Sequence, residues 1–171
     1  MKLLILTEGT QTEIIYFKAL IEHYALREVS VSPDPLRLMR EAMKLKEQNN
    51  CPAWVVLDTE IAGQDRTRDR RMKKALADGA RLDVQFAVSE PCFEAWLLAH
   101  FDGTKNYNLK KGSRFYADLL SKKLGTPYRK GEYDISPFLK EENLQSAICS
   151  PAGKRGLAKL TKTLCDSAPL R

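Results

Sequence analysis

Two short apolar runs, each closing on acidic residues, constrain this chain more than any other feature. The first is Leu3-Leu4-Ile5-Leu6, followed by Thr7-Glu8-Gly9; the second is Trp54-Val55-Val56-Leu57, followed by Asp58-Thr59-Glu60. A continuous Val/Ile/Leu run is the pattern of a strand buried on both faces, and so of a parallel sheet covered by helices. In open sheets of that kind ligands bind beyond the carboxyl ends of the strands. Glu8, Asp58 and Glu60 are therefore expected at one edge, where they repel one another unless a cation lies between them. A ligand set made of carboxylate oxygens points to Mg²⁺ or Mn²⁺ as the cofactor.

The first hundred residues alternate strand and helix signals. After the first strand, Thr10-Gln11-Thr12-Glu13 matches a capping box and opens a helix with Ile14, Phe17, Leu20 and Ile21 on its apolar side. Glu28-Val29-Ser30-Val31 is a short strand candidate, and Pro33 and Pro35 lead into a helix over 35–48. The second acidic strand occupies 53–58. A charged stretch then reads as a loop running into a helix that ends near Gly79. Leu82–Val88 has the alternation of a strand, and a helix opening at Pro91 runs to Phe101. Strands separated by helices of this length mean βαβ units. The expectation is an α/β three-layer sandwich with a mainly parallel sheet of about four strands, over residues 1–101. From Asp102 onward the composition changes, and helical patterns over 113–124, 135–148 and 154–165 predict a helical carboxy-terminal extension, 102–171, packed on that core.

Size and charge narrow the function. At 171 residues the chain is one domain, or one domain with an appendage. A formal charge of +6 favours a polyanionic partner such as nucleic acid. Cys51, Cys92, Cys149 and Cys165 are scattered without a CxxC or Cys/His cluster, which argues against structural zinc and a disulfide scaffold and fits a cytoplasmic protein. The start turns polar after Leu6, too soon for an export signal, and no apolar stretch approaches the roughly 20 residues a membrane span needs. No Walker-type motif is present, so ATP hydrolysis would have to come from a partner.

Two segments resemble the RloB-like family: Thr7-Glu8-Gly9-Thr10-Gln11-Thr12-Glu13-Ile14-Ile15-Tyr16-Phe17, and Ser89-Glu90-Pro91-Cys92-Phe93-Glu94-Ala95-Trp96-Leu97-Leu98-Ala99-His100-Phe101. The family carries an "EGxxTExxYF" start, a "DxD" strand end and a "SNPxFExWLxxHF" segment. The likeness covers residues 1–101 and extends to Tyr128-Arg129-Lys130-Gly131. It implies a Toprim-like fold, divalent metal held by Glu8, Asp58 and Glu60, and a role in anti-phage defence, including abortive infection, beside an ATPase partner. Two positions depart from the family pattern. Asp58-Thr59-Glu60 replaces DxD and lengthens the second ligand by one methylene, and Ser89-Glu90-Pro91 brings an extra acid close to the site.

Other residues carry weaker expectations. Glu94, in a helix apolar on nearly every side, is a buried carboxylate that needs a cation or metal, or else a first-turn acid facing the helix dipole. Gly9 permits close approach to a phosphate, Glu13 completes the capping box, and His100 is either a base supporting the site or a hydrogen-bonded core residue. Arg66, Arg68, Arg70, Arg71, Lys73 and Lys74 form a run that can track a nucleic-acid backbone, diluted by Asp65 and Asp69. The reading that follows is a metal-dependent nuclease cleaving DNA or RNA phosphodiesters, able to work as an oligomer. Its rivals are a non-catalytic nucleic-acid-binding or sensor subunit of a defence ATPase and an enzyme acting on small phosphates.

Overall fold

The computed structural model describes residues 3–9, 11–21, 34–59 and 65–166. Among them, strands β1 (Leu4–Thr7), β2 (Ala53–Asp58) and β3 (Gln85–Ser89) form one sheet in the order β1-β2-β3. Both pairings are parallel, with Ile5 opposite Trp54 and Asp58 opposite Ser89. Parallel neighbours place all three carboxyl ends at the same edge, so Glu8, Asp58 and Glu90 emerge together. The described sheet has three strands rather than about four; the candidate Glu28–Val31 lies outside the described residues.

Alternate side chains divide the sheet into two faces. Leu4, Leu6, Val55, Leu57 and Val88 pack with Leu38, Ala42 and Met72 from helices α2 (Pro35–Asn49) and α3 (Arg66–Arg81). Leu3, Ile5, Trp54, Val56 and Ala87 belong to a larger core. That core takes in α1 (Thr12–Ile21), α4 (Phe93–Asp102), α5 (Ser113–Leu124), α6 (Glu141–Ile148) and α7 (Leu157–Asp166). Its largest wholly buried side chains include Trp96, Tyr16, Tyr116, Phe17, Phe93 and Phe138. Each removes enough apolar surface from water to contribute about 2–3 kcal/mol. Helices on both faces explain the unbroken apolar runs of β1 and β2.

Several boundaries differ from expectation for local reasons. Asp65 accepts from the amides of Thr67 and Arg68, so α3 begins at Arg66 with no preceding loop among the described residues. It passes through Gly79, whose bare Cα lets the Phe86 ring pack within 2.2 Å of where a Cβ would stand. Leu82 and Asp83 form a turn instead of starting β3, with Asp83 in the left-handed region at φ 53°. Pro91 lies ahead of α4, whose cap is Cys92. The 135–148 pattern divides into a 3-10 turn at Ser136–Leu139 and then α6, with Lys140 extended between them. Gly156, at φ 109°, delays α7 to Leu157. The turn before α7 also covers the outer edge of β3: the Val88 amide donates to the Arg155 carbonyl at 2.8 Å. Among the described residues no helix is long and apolar enough to cross a membrane.

Candidate functional site

The carboxyl edge of the sheet gathers four carboxylates from four elements. Glu8 continues β1 by one residue, its amide donating to the Val56 carbonyl at 3.0 Å. Its Oε2 accepts from the Asp58 amide at 3.2 Å. Asp58 ends β2, and the Ser89 hydroxyl on β3 donates to its Oδ1. Glu13, on the first turn of α1, folds back over Gly9, where an added Cβ would stand 1.9 Å from its Oε2. Gly9 leaves room for this close approach, though the approaching group is a carboxylate of the same chain. Glu94, on the first turn of α4, is 1% exposed.

These acids feel one another. Burial first, then Glu13, Glu94 and Glu8, push the Asp58 carboxyl well above its ordinary range, against the pull of the Ser89 hydrogen bond. Glu13 is raised by burial and by Glu94 and Glu8, and lowered by its own amide and by Lys130. Such an arrangement holds ionised carboxylates only with positive charge nearby.

Two protein cations supply it. Arg68 clasps Glu8: Nη2 donates to Oε2 at 2.6 Å and to Oε1 at 2.7 Å, and Nε donates to Oε1 at 3.0 Å. The same Nη2 donates to the Asp58 carbonyl at 2.6 Å. Lys130 reaches Glu94 Oε1 at 3.0 Å. Desolvation draws the Lys130 ammonium down, but Glu94, Asp58 and Glu13 together hold it above its usual value. The loop carrying Lys130 is strapped to α1, since the Tyr133 hydroxyl donates to the Thr12 carbonyl at 2.9 Å and Tyr128 and Thr12 share a hydroxyl contact at 3.3 Å. Glu94 Oε2 has no hydrogen-bond partner among the described residues.

The expected residues distribute as follows. Glu8, Asp58, Glu13 and Glu94 converge; Glu60 lies outside the described residues, as does Thr10, the cap expected for Glu13. His100 is not at the edge. Its Nδ1 meets the Trp96 carbonyl at 3.0 Å and its Nε2 the Tyr16 hydroxyl at 3.1 Å, inside a box of Tyr16, Trp96 and Phe138 rings. Burial pushes its pKa down to about 4, so it is a neutral core residue. Within the basic run, Arg66, Arg70 and Lys73 are exposed, while Arg71 pairs with Asp34 at 2.5 Å and Lys74 with Asp78 at 2.9 Å. Arg68 is turned inward and already engaged, apart from the exposed members of the run. It shares the i, i+4, i+7 row of Met72, Ala75 and Gly79, the buried side of α3, and that spacing was the signal for its direction. Glu90 is held by Arg155. Beside this edge a cavity of about 270 Å³ opens between Thr59, Met72, Lys73, Pro91, Leu109 and Arg155.

The donor chemistry suits a hard divalent cation. All the acids offer oxygen, Asp58 is raised by burial and by the neighbouring acids, and Glu94 has a buried oxygen unspent. Among the described residues Glu8 and Asp58 would hold it, with Glu94 close behind. In the present arrangement Arg68 takes the charge-neutralising place at Glu8, and among the described residues no three acidic, His or Cys side chains are drawn into a ligating group.

A family model described as RloB-like protein matches residues 3–159, and the chain belongs to that family. Neither the search of curated proteins nor that of solved structures returned a match.

Proposed function

We propose that this RloB-like family member is a Toprim-like, Mg²⁺- or Mn²⁺-dependent nuclease that hydrolyses phosphodiester bonds in nucleic acid, serving anti-phage defence with an ATPase partner. The observation that carries the reading is the convergence of Glu8, Asp58, Glu13 and the buried Glu94 at the strand edge, with burial and the neighbouring acids raising the Asp58 carboxyl. A fold gains no stability from gathering like charges at one edge, and perturbed carboxylates in such a place mark functional sites. When bound there, a divalent cation polarises a phosphate oxygen and lowers the pKa of its water. Glu8 and Asp58 are aligned for this by the sheet itself, through the Asp58 amide and the Ser89 hydroxyl. Lys130 holds Glu94 in place at 3.0 Å, and Asp58 and Glu13 also help keep its ammonium charged.

The test is cleavage of labelled DNA and RNA with and without Mn²⁺, alone and with a candidate ATPase partner. Glu8→Gln, Asp58→Asn and Glu60→Gln should each lower the rate by roughly a hundredfold or more while the thermal melt keeps its cooperativity. Metal-independent cleavage, or full activity in Asp58→Asn, would sink the reading.

One observation favours the non-catalytic alternative: Arg68 and Lys130 already neutralise Glu8 and Glu94. A regulatory subunit would keep those pairs closed, and calorimetry would then detect no Mn²⁺ binding.

A further inference from the structure

The basic character of the chain is confined to one layer. Helix α2 carries four cations against two carboxylates and α3 seven against two, a formal excess of seven. The whole chain has an excess of six, so everything outside these helices carries a net single negative charge. The two helices lie side by side in the same direction. Arg71 joins their amino-terminal ends through Asp34 at 2.5 Å, and Lys46 joins α2 to the turn after α3 through Asp83 at 2.6 Å. With Leu38, Met39 and Ala42 of α2 and Met72, Ala75 and Gly79 of α3 facing the sheet, 100° per residue puts Arg37, Arg40 and Lys44, and Arg66, Arg70 and Arg81, on the outer side. All six are exposed, and none has an ion pair among the described residues. A concavity of about 430 Å³ on α2 lies among its three outward cations with Glu41, Leu45 and Gln48.

From this geometry we infer that the α2/α3 layer is a nucleic-acid backbone track, in which Arg37, Arg40 and Lys44 on α2 extend the α3 row and lead the polymer to the carboxylate edge. The inference deepens the nuclease reading and rests on it for the class of ligand. Two rows of one sign suit a phosphate backbone. A protein partner would look for aromatic or large apolar anchors, and neither helix contains an aromatic residue. The amino-terminal ends reach the acidic edge, where Arg68 of α3 touches Glu8.

The test is metal-free binding, in EDTA, of a short fluorescent duplex as DNA and as RNA, followed by anisotropy across a salt series. Each phosphate contact contributes about 0.9 to the slope of log affinity against log salt for B-form DNA. Arg37→Gln/Arg40→Gln/Lys44→Gln should therefore reduce the magnitude of the DNA slope by about 2–3, and Lys44→Gln alone by about 1. Lys122→Gln/Lys154→Gln/Lys162→Gln, exposed cations outside this layer, should leave it unchanged. The tighter polymer identifies the source of the phosphates. An unchanged slope in the α2 variants, an equal fall in both triples, or no salt-sensitive binding by the wild type would overturn the track. Cleavage is scored separately with Mn²⁺: intact binding without cleavage would leave the track standing and remove the nuclease reading.

Discussion

Arg68 and Glu8 form a fork-shaped ion pair in which one guanidinium nitrogen meets both carboxylate oxygens, at 2.6 and 2.7 Å, and also caps the Asp58 carbonyl. The side chains are 16% and 14% exposed, so water screens the pair little. A divalent cation at Glu8 has to displace that contact. Arg68→Gln should raise Mn²⁺ affinity by roughly tenfold, because a competing charge-assisted contact of about 1.5–3 kcal/mol is removed at the cost of one weaker amide bond. The same variant should melt earlier than wild type in EDTA and recover with Mn²⁺. Calorimetry and thermal melts read both, and unchanged Mn²⁺ affinity would show that Arg68 does not compete.

Lys130 and Glu94 test whether the carboxy-terminal half completes the edge. Glu94 is 1% exposed and Lys130 54%, so the pair is buried at one end only. Lys130→Met leaves the carboxylate short of its cation and should destabilise by about 1–2 kcal/mol, less than a wholly buried pair would lose. Adding Glu94→Gln should recover part of that loss. Additive losses in urea melts of the four-member cycle would mean that the two side chains are not coupled.

The edge was legible because continuous apolar runs fix buried parallel strands, and parallel strands bring their last residues together. Hence Glu8 and Asp58 could be placed side by side from Leu3–Leu6 and Trp54–Leu57 alone. The countercharges were not, for two different reasons. Arg68 sits within a run of like residues, and only the helical period separates it from Arg66 and Arg70. Lys130 is 36 residues from Glu94, with helix α5 and irregular stretches on either side of it between, and no periodicity reports such a contact; only the likeness at Tyr128–Gly131 hinted at it. His100 looked chemical because its residue type is, while its neighbours Trp96, Leu97 and Phe101 already described a core.

Gly156 is a strict requirement of the fold. It lies at φ 109°, and a Cβ there would stand 2.1 Å from the Phe86 carbonyl oxygen, which belongs to β3 backbone and cannot swing aside. Gly156→Ala should cost about 2–4 kcal/mol by combining left-handed strain with overpacking. It should also loosen the Arg155 carbonyl from the Val88 amide, so that hydrogen exchange at Val88 speeds up more than at Val56 in the central strand. Equal protection in variant and wild type would contradict this account of the β3 edge.

His100 gives the molecule an acid-sensitive core. Its folded-state pKa is about 4 against 6.5 when unfolded, with burial as the main cause. Between those values the unfolded chain binds more protons, so stability falls as pH drops from 6.5 toward 4, by about 3 kcal/mol in all. Asp58 and Glu13 act with the opposite sign, because their raised carboxyls take up protons more readily in the folded state. The His100 contribution is therefore read as a difference. His100→Gln, which keeps a hydrogen-bonding amide beside Tyr16, should be less stable than wild type at pH 7 yet lose less on acidification. Urea melts at pH 7, 6, 5 and 4.5 would trace the two curves converging. Parallel curves would mean that the imidazole is protonated as easily inside the core as in water, and that burial does not hold it in the neutral form.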